Sequence, residues 1–219
     1  LAHLLQAVPA IIASFVLAIP IARLARVARP LRAVLVTGSS LLYAVPSLAL
    51  FVILPIILAT GIRDPLNVIV ALTLYGLALL VPATADALDA VDARVLDAAT
   101  AMGMGRLRCF LTVELPLAGP AILTGLRVVT VSTISLTTVG AVLGVRSLGW
   151  LFTDGFQRGV TAEILTGLVS TAALALILDG LVLALGRLCL PWTWKRVGTS
   201  GAAVAGVGAA TLGSQEGKA

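Results

Sequence analysis

Long apolar runs alternate with short polar segments along most of this 219-residue chain. A run of about twenty apolar residues is long enough for a helix to cross the hydrocarbon core of a bilayer. The pattern predicts five such helices, at about residues 4–22, 33–60, 66–85, 117–144 and 163–185. The second run exceeds one simple crossing and contains Pro46 and Pro55, so we expect a tilted, kinked or interrupted helix there.

The composition is typical of a membrane protein. Hydrophobic residues make up 59% of the chain, charged residues make up 11%, and the mean hydropathy is +1.10. A soluble domain normally carries about 25% charged residues. We therefore predict an all-α membrane domain over residues 1–196 and a disordered Gly/Ala-rich tail over 197–219.

The basic residues predict an orientation in the bilayer. The net charge of +5 arises from clusters beside the apolar runs, which indicates contact with lipid and no nucleic-acid partner. Arginines concentrate in the first and third loops, at Arg23, Arg26, Arg29, Arg32, Arg94, Arg106 and Arg108. The positive-inside rule predicts that these loops are cytoplasmic, with an external amino terminus and a cytoplasmic carboxyl terminus. The expected anchor at the inner face comprises Trp192, Trp194, Lys195 and Arg196.

A polar segment with several glycines interrupts the apolar pattern over residues 86–116. Its apolar residues Val95, Ala98, Ala99 and Met102 fall at helical spacing on one face. Gly103 is expected to end this helix, and a second short helix from about 107 to 114 is expected to end before Pro116. The result would be a small-residue knob that fits a groove on another protein. An amphipathic loop at the membrane surface is the alternative.

Few residues could support catalysis or metal binding. His3 is the single histidine and is expected to be an interfacial polar side chain. The two cysteines, Cys109 and Cys189, fall on the predicted cytoplasmic side without a CxxC spacing, so we expect neither a disulfide nor a metal site. The sequence also lacks a GxxxxGK[ST] phosphate loop.

The segment from Asp97 to Pro116 resembles the coupling loop of ABC-transporter permeases. That pattern is Glu-Ala-Ala, three residues, Gly, nine residues, an aliphatic residue, one residue and Leu-Pro. The matching positions are Asp97, Ala98, Ala99, Gly103, Val113, Leu115 and Pro116, with Asp97 in place of the usual Glu. The resemblance implies the five-helix, MetI-like fold of type I importers with a cytoplasmic coupling helix. The implied ATPase-docking residues are Asp97, Ala98, Ala99, Met102, Gly103, Leu115 and Pro116.

Further segments resemble the osmoprotectant permeases, over about residues 3 to 190. YAVPSLALF at 43–51 and ALTLY at 71–75 are similar to segments of that family. The chain departs from the family at Thr84-Ala85, where an Arg-Asn pair is usual, and at 146–149, where RSLG replaces Gly-Gly-Leu-Gly.

The resemblance implies one subunit of an importer for glycine betaine, carnitine, choline or proline betaine. The implied partners are two copies of an ATPase subunit, a second permease subunit and an extracytoplasmic substrate-binding protein. The chain itself would bind no cofactor, and ATP and Mg²⁺ would be used by the separate ATPase.

Two further groups of residues are candidates inside the predicted spans. The only tyrosines, Tyr43 and Tyr75, could line a path for a trimethylammonium group through cation–π attraction, together with a break at Pro46 and Ser47. Packing of the rings and a packed kink are the alternatives. Arg127 and Asp179 fall at similar depth in the fourth and fifth spans, so we predict an ion pair, either as a structural clamp or as part of a gate.

Three competing functions are compatible with the pattern. A secondary transporter or channel would need no ATPase, but such proteins usually carry ionisable residues at mid-membrane and internal repeats, and the sequence shows no repeat and few such residues. A membrane scaffold would use the polar segment to dock another partner. An ABC importer could also carry a different small solute, such as an amino acid or a thiol betaine.

Overall fold

The computed structural model describes residues 1–194, except for the side chains of Arg29, Thr193 and Trp194. Two residues of the predicted anchor, Lys195 and Arg196, and the predicted tail at 197–219 lie outside the described residues. The helices are α1 Ala2–Val27, α2 Arg29–Ala44, α3 Ser47–Leu58, α4 Pro65–Asp89, α5 Ala93–Ala101, α6 Arg106–Cys109, α7 Leu115–Thr137, α8 Trp150–Arg158, α9 Thr161–Cys189 and α10 Pro191–Trp194. A π-helical turn at Phe110–Glu114 precedes α7, and a 3₁₀ segment at Thr138–Leu143 follows it.

Four helical stretches within the described residues are long and apolar enough to cross a membrane. They are α1, α4, the continuous stretch Arg106–Leu143, and α9. The pair α2 and α3 would form a fifth crossing if counted together, although the two helices are bent by 107°. The predicted spans at 4–22, 66–85 and 163–185 fall inside α1, α4 and α9, because the helices continue beyond the apolar runs into polar residues.

The long second run forms an interrupted helix. α2 ends at Ala44, Val45 is extended with φ −67° and ψ 128°, and α3 begins after Pro46. A proline has no amide hydrogen and restricts the residue before it to extended conformations, so the helix cannot continue through this position. Pro55, in contrast, is accommodated inside α3.

The structure corrects the prediction of a separate short helix that ends before Pro116. α6, the π-helical turn and α7 form one continuous stretch, and Pro116 lies in the first turn of α7. The Leu115 amide donates to the carbonyl of Phe110, five residues earlier. This wider turn displaces the preceding carbonyls, which a proline ring would otherwise crowd, and the helix can therefore pass Pro116 unbroken.

The centre of the bundle is the packing of α1 against α4 and α7. α1 buries small side chains every three or four residues, including Ala7, Ala10, Ser14, Ala18 and Ala22. Small residues at this spacing let two helix backbones approach closely in a membrane. The Ser14 hydroxyl is shared between the Ala10 carbonyl of its own helix at 2.7 Å and the Thr73 carbonyl of α4 at 3.2 Å, and Gly76 faces the same serine. α9 is peripheral and packs on α7 and α8.

The fourth loop contains a helix that the sequence analysis did not predict. α8 carries an ion pair one turn apart, in which Arg158 Nη1 lies 3.0 Å from Asp154 Oδ2. The hydrogen bond from Arg158 to Asp154 raises the pKa of the Arg158 guanidinium. The nine residues of α8 are too few to span a membrane, and α8 packs across α9 instead.

Candidate coupling segment and membrane path

The polar segment begins with a capped helix and ends in a glycine turn. The Asp92 carboxylate caps α5 by accepting from the Arg94 amide at 2.9 Å. At the other end, the Gly103 amide donates to Thr100 and the Met104 amide donates to Ala99, at 2.9 and 3.2 Å. This is the Schellman arrangement, which needs a left-handed residue after the helix. Gly103 has a φ of +82°, and this backbone conformation explains why a glycine occupies this position of the pattern.

α5 presents a partly apolar surface away from the rest of the chain. Asp97 and Ala98 are exposed, Val95 is 42% exposed and Met102 is 71% exposed. Ala99 is only 1% exposed and packs inside the chain, so Ala98 is the alanine of this pair that a docking partner could contact. Leu115 and Pro116 lie half-buried in the first turn of α7.

Charged and aromatic contacts join this segment to the bundle. Arg23 of α1 stacks over the Phe110 ring, with its Cζ atom 4.2 Å from the ring centroid. Arg26, one turn later, pairs with Glu114 at the end of the π-helical turn. Asp89, the last residue of α4, pairs with Arg32 of α2 and lies 3.5 Å from Arg26 Nε. These contacts, which the sequence analysis missed, join four separate elements at one end of the bundle.

The two tyrosines meet at the break between α2 and α3. Their rings are 6.0 Å apart in an edge-to-face arrangement, with an interplanar angle of 87°. The Tyr75 hydroxyl donates to the Val45 carbonyl at 2.6 Å, an acceptor that the break leaves free. Tyr75 is buried, Tyr43 is 48% exposed, and Pro46 is also exposed. Ser47 is half-buried and begins α3.

Arg127 and Asp179 are in contact between α7 and α9. Arg127 Nε donates to Asp179 Oδ1 at 2.8 Å, and Arg127 Nη2 donates to Asp179 Oδ2 at 2.6 Å. Two parallel bonds between a guanidinium and a carboxylate fix both the distance and the relative orientation of the helices. The pair is therefore one of the polar links between the peripheral helix α9 and the centre of the bundle.

The opposite end of the bundle from α5 holds a second set of polar contacts. His3 is 3% exposed, so the expectation of an interfacial side chain is wrong. Its Nδ1 atom accepts from the Leu148 amide at 3.3 Å. Gln6 donates from Nε2 to the Arg146 carbonyl at 2.8 Å. The first turns of α1 thus bind the 146–149 segment, where the chain departs from the osmoprotectant pattern.

Together, the broken and continuous apolar helices define a helical membrane protein with an exposed polar segment at one end. Residues 10–190 match the family described as the binding-protein-dependent transport system inner membrane component. The chain belongs to this family and is an inner-membrane component of such a transport system.

Individual relatives support this membership. The chain is 30% identical over 197 residues to the choline transport system permease protein OpuBD of Bacillus subtilis, covering 90% of this chain and 86% of the relative. It is also 30% identical over 178 residues to the glycine betaine/carnitine/choline transport system permease protein OpuCD of Bacillus subtilis, covering 81% and 76%. A chain of the MetNI methionine ABC transporter, solved in inward facing conformations, is 20% identical with a TM-score of 0.75, covering 86% of this chain and 93% of that chain. The predicted MetI-like permease fold is confirmed.

Proposed function

We propose that this chain is the permease subunit of an ATP-driven importer for osmoprotectants such as glycine betaine, carnitine, choline or proline betaine. The relatives named for choline, glycine betaine and carnitine transport support this substrate class. The observation that carries the proposal is the exposed α5 surface, which ends at a Gly103 turn with the coupling-loop spacing. An exposed surface of small and apolar side chains on a rigid capped helix suits a groove on an ATPase.

The proposed complex contains two permease subunits, two ATPase subunits and one external substrate-binding protein. ATP and Mg²⁺ would be used by the ATPases alone. Closure of the ATPase pair would move both docked α5 segments, and the bundle would exchange external for internal access. A quaternary amine would pass the break at Pro46, where the exposed face of Tyr43 offers cation–π attraction.

Uptake by the reconstituted transporter tests the proposal. The operon that encodes this chain would be expressed, and the complex would be purified through a tag on this chain and placed in liposomes. We expect an ATPase to co-purify, and we expect vanadate-sensitive uptake of radiolabelled glycine betaine or choline. Uptake of an amino acid or a thiol betaine instead would change the substrate class. Uptake without ATP, driven by an ion gradient, would refute the ABC mechanism.

Cysteine labelling tests the orientation. In a background without Cys109 and Cys189, we expect single cysteines at Arg29 and Gly105 to resist an impermeant thiol reagent added outside intact cells. A cysteine at Asp154 should react, because α8 would lie at the external face. Permeabilised cells provide the control, since Gly105 is exposed and should then react. Labelling of Gly105→Cys in intact cells would reverse the orientation and remove the coupling interpretation.

A further inference from the structure

Two arginines on α1 hold two residues of the stretch that links α5 to α7. Arg23 and Arg26 are three residues apart on one face of α1, and their partners Phe110 and Glu114 are four residues apart on the π-helical turn. Residues at these spacings lie one above the other on a helix. The four side chains therefore form a two-point contact between the elements, which we call the arginine clamp.

The arginine clamp is shielded more than an ordinary surface ion pair. Glu114 has 14% of its side chain exposed, Arg26 has 27%, and Phe110 is 5% exposed as a residue. In α8, by comparison, the side chain of Arg158 is 66% exposed and its partner is only four residues away. Partial burial strengthens an ion pair because water screens it less. The clamp also joins positions that are 88 residues apart in the chain.

The space around the clamp shows why these contacts matter. A cleft of about 400 Å³ lies between the end of α1 and the polar segment, and its lining includes Arg26, Thr100, Arg106 and Glu114. α5 itself packs mainly on α6 and the π-helical turn. A displacement of α5 can therefore reach the bundle along α7, or across the cleft through the arginine clamp into α1.

We infer that Arg26 and Glu114 are positioning residues for transport, which transmit the movement of α5 to α1. This inference rests on the proposed function. Asp89 extends the connection, since it pairs with Arg32 and lies near Arg26, so that α4 and α2 are joined to the same point. The two carboxylates match the charges of Arg26 and Arg32, while Arg23, which stacks on Phe110, adds one further positive charge. Arg26→Gln removes the cation paired with Glu114, whereas Glu114→Gln leaves Arg26 within 3.5 Å of Asp89.

The test measures solute taken up per ATP hydrolysed by the whole complex in liposomes. The variants are Arg26→Gln, Glu114→Gln, the double variant that carries both changes, and Arg26→Lys. We expect each single variant to bind the ATPase and hydrolyse ATP, while uptake per ATP falls about fivefold or more, the lower range of typical coupling between sites. The loss in the double variant should be smaller than the sum of the two single losses, and Arg26→Lys should resemble the wild type.

The matched control is the ion pair of α8, with Asp154→Asn and Arg158→Gln. These variants also remove one charge each but leave the arginine clamp intact, so uptake per ATP should not change. Wild-type uptake per ATP in both single clamp variants would overturn the inference. A lower folded yield with unchanged uptake per ATP in the surviving protein would do the same, because it would show a structural contact only. If the wild-type complex shows no ATP-driven uptake, the proposed function fails before the clamp is tested.

Discussion

Gly76 is the position where one added methyl group should most directly disturb the centre of the bundle. It lies on α4 opposite Ser14 of α1, and both residues lie deep in the bundle. A Cβ atom at position 76 would lie 2.6 Å from Ser14 Cβ and 3.3 Å from Val129 Cγ1. It would also overlap Ser14 Oγ. Ser14 Cβ is fixed to the α1 backbone, so a rotamer change cannot remove this overlap.

The expected loss follows from this geometry. Carbon atoms pack best at about 3.5–4.0 Å, so α1 and α4 must separate by about 1 Å to accept Gly76→Ala. Overpacking of this kind costs about 1–3 kcal/mol. The separation also weakens the bond from Ser14 to Thr73, and such bonds average about 0.6 kcal/mol in a membrane protein. Alanine is more favourable than glycine inside a helix, which offsets about 0.5–1 kcal/mol of the loss. The free energy of unfolding should therefore fall by about 0.5–3 kcal/mol.

Thermal unfolding of the purified complex in detergent would measure this loss. By analogy with soluble proteins of this length, about 2 kcal/mol corresponds to a decrease in Tm of about 4–8 °C. Gly38→Ala is the matched control, because Gly38 lies inside α2 with nothing within 4 Å of an added Cβ. Ser14→Gly should restore most of the Tm in the Gly76→Ala background. Equal Tm values for Gly76→Ala and Gly38→Ala would refute the close-packing argument.

Two further predictions concern the coupling segment and the intramembrane pair. Gly103→Glu should abolish uptake while the protein still inserts, because a φ of +82° strains any side chain at this position. Asp97→Glu should be nearly neutral. Normal uptake by Gly103→Glu would contradict the docking assignment. Arg127→Leu and Asp179→Leu should each reduce folded yield and uptake more than the double variant, because a single change leaves one charge without a partner. If the loss in the double variant equals the sum of the two single losses, the two side chains are not coupled.

Local signals in the sequence were sufficient for the spans and for part of the site. The lengths of the apolar runs predicted the positions of α1, α4 and α9, because a membrane imposes a minimum length on every helix that crosses it. The similar depth of Arg127 and Asp179 in their spans predicted the contact between them, because few arrangements satisfy two charges in apolar surroundings. Gly103 was recognisable because a helix end of this type needs a residue that accepts positive φ.

Other features depend on contacts between distant parts of the chain. The sequence places Ala98 and Ala99 side by side, and only the packing of α5 on α6 and the π-helical turn decides that Ala99 is the buried one. The π-helical turn before Pro116 has no pattern that separates it from a helix break. Glu114 resembles any charge near a membrane surface until α1 brings Arg26 beside it. The small residues of α1 likewise do not identify α4 as the partner by their spacing alone.

α1 combines two kinds of contact that should affect different properties of the transporter. Its middle packs on α4 through Ser14, and its end joins the coupling segment through Arg26, about 18 Å further along the helix. Sites so far apart without shared partners usually contribute additively. Gly76→Ala should therefore lower Tm with little change in uptake per ATP, whereas Glu114→Gln should lower uptake per ATP with little change in Tm. A double variant whose uptake per ATP fell well below that of Glu114→Gln would show instead that close packing at Ser14 is itself part of the transmission.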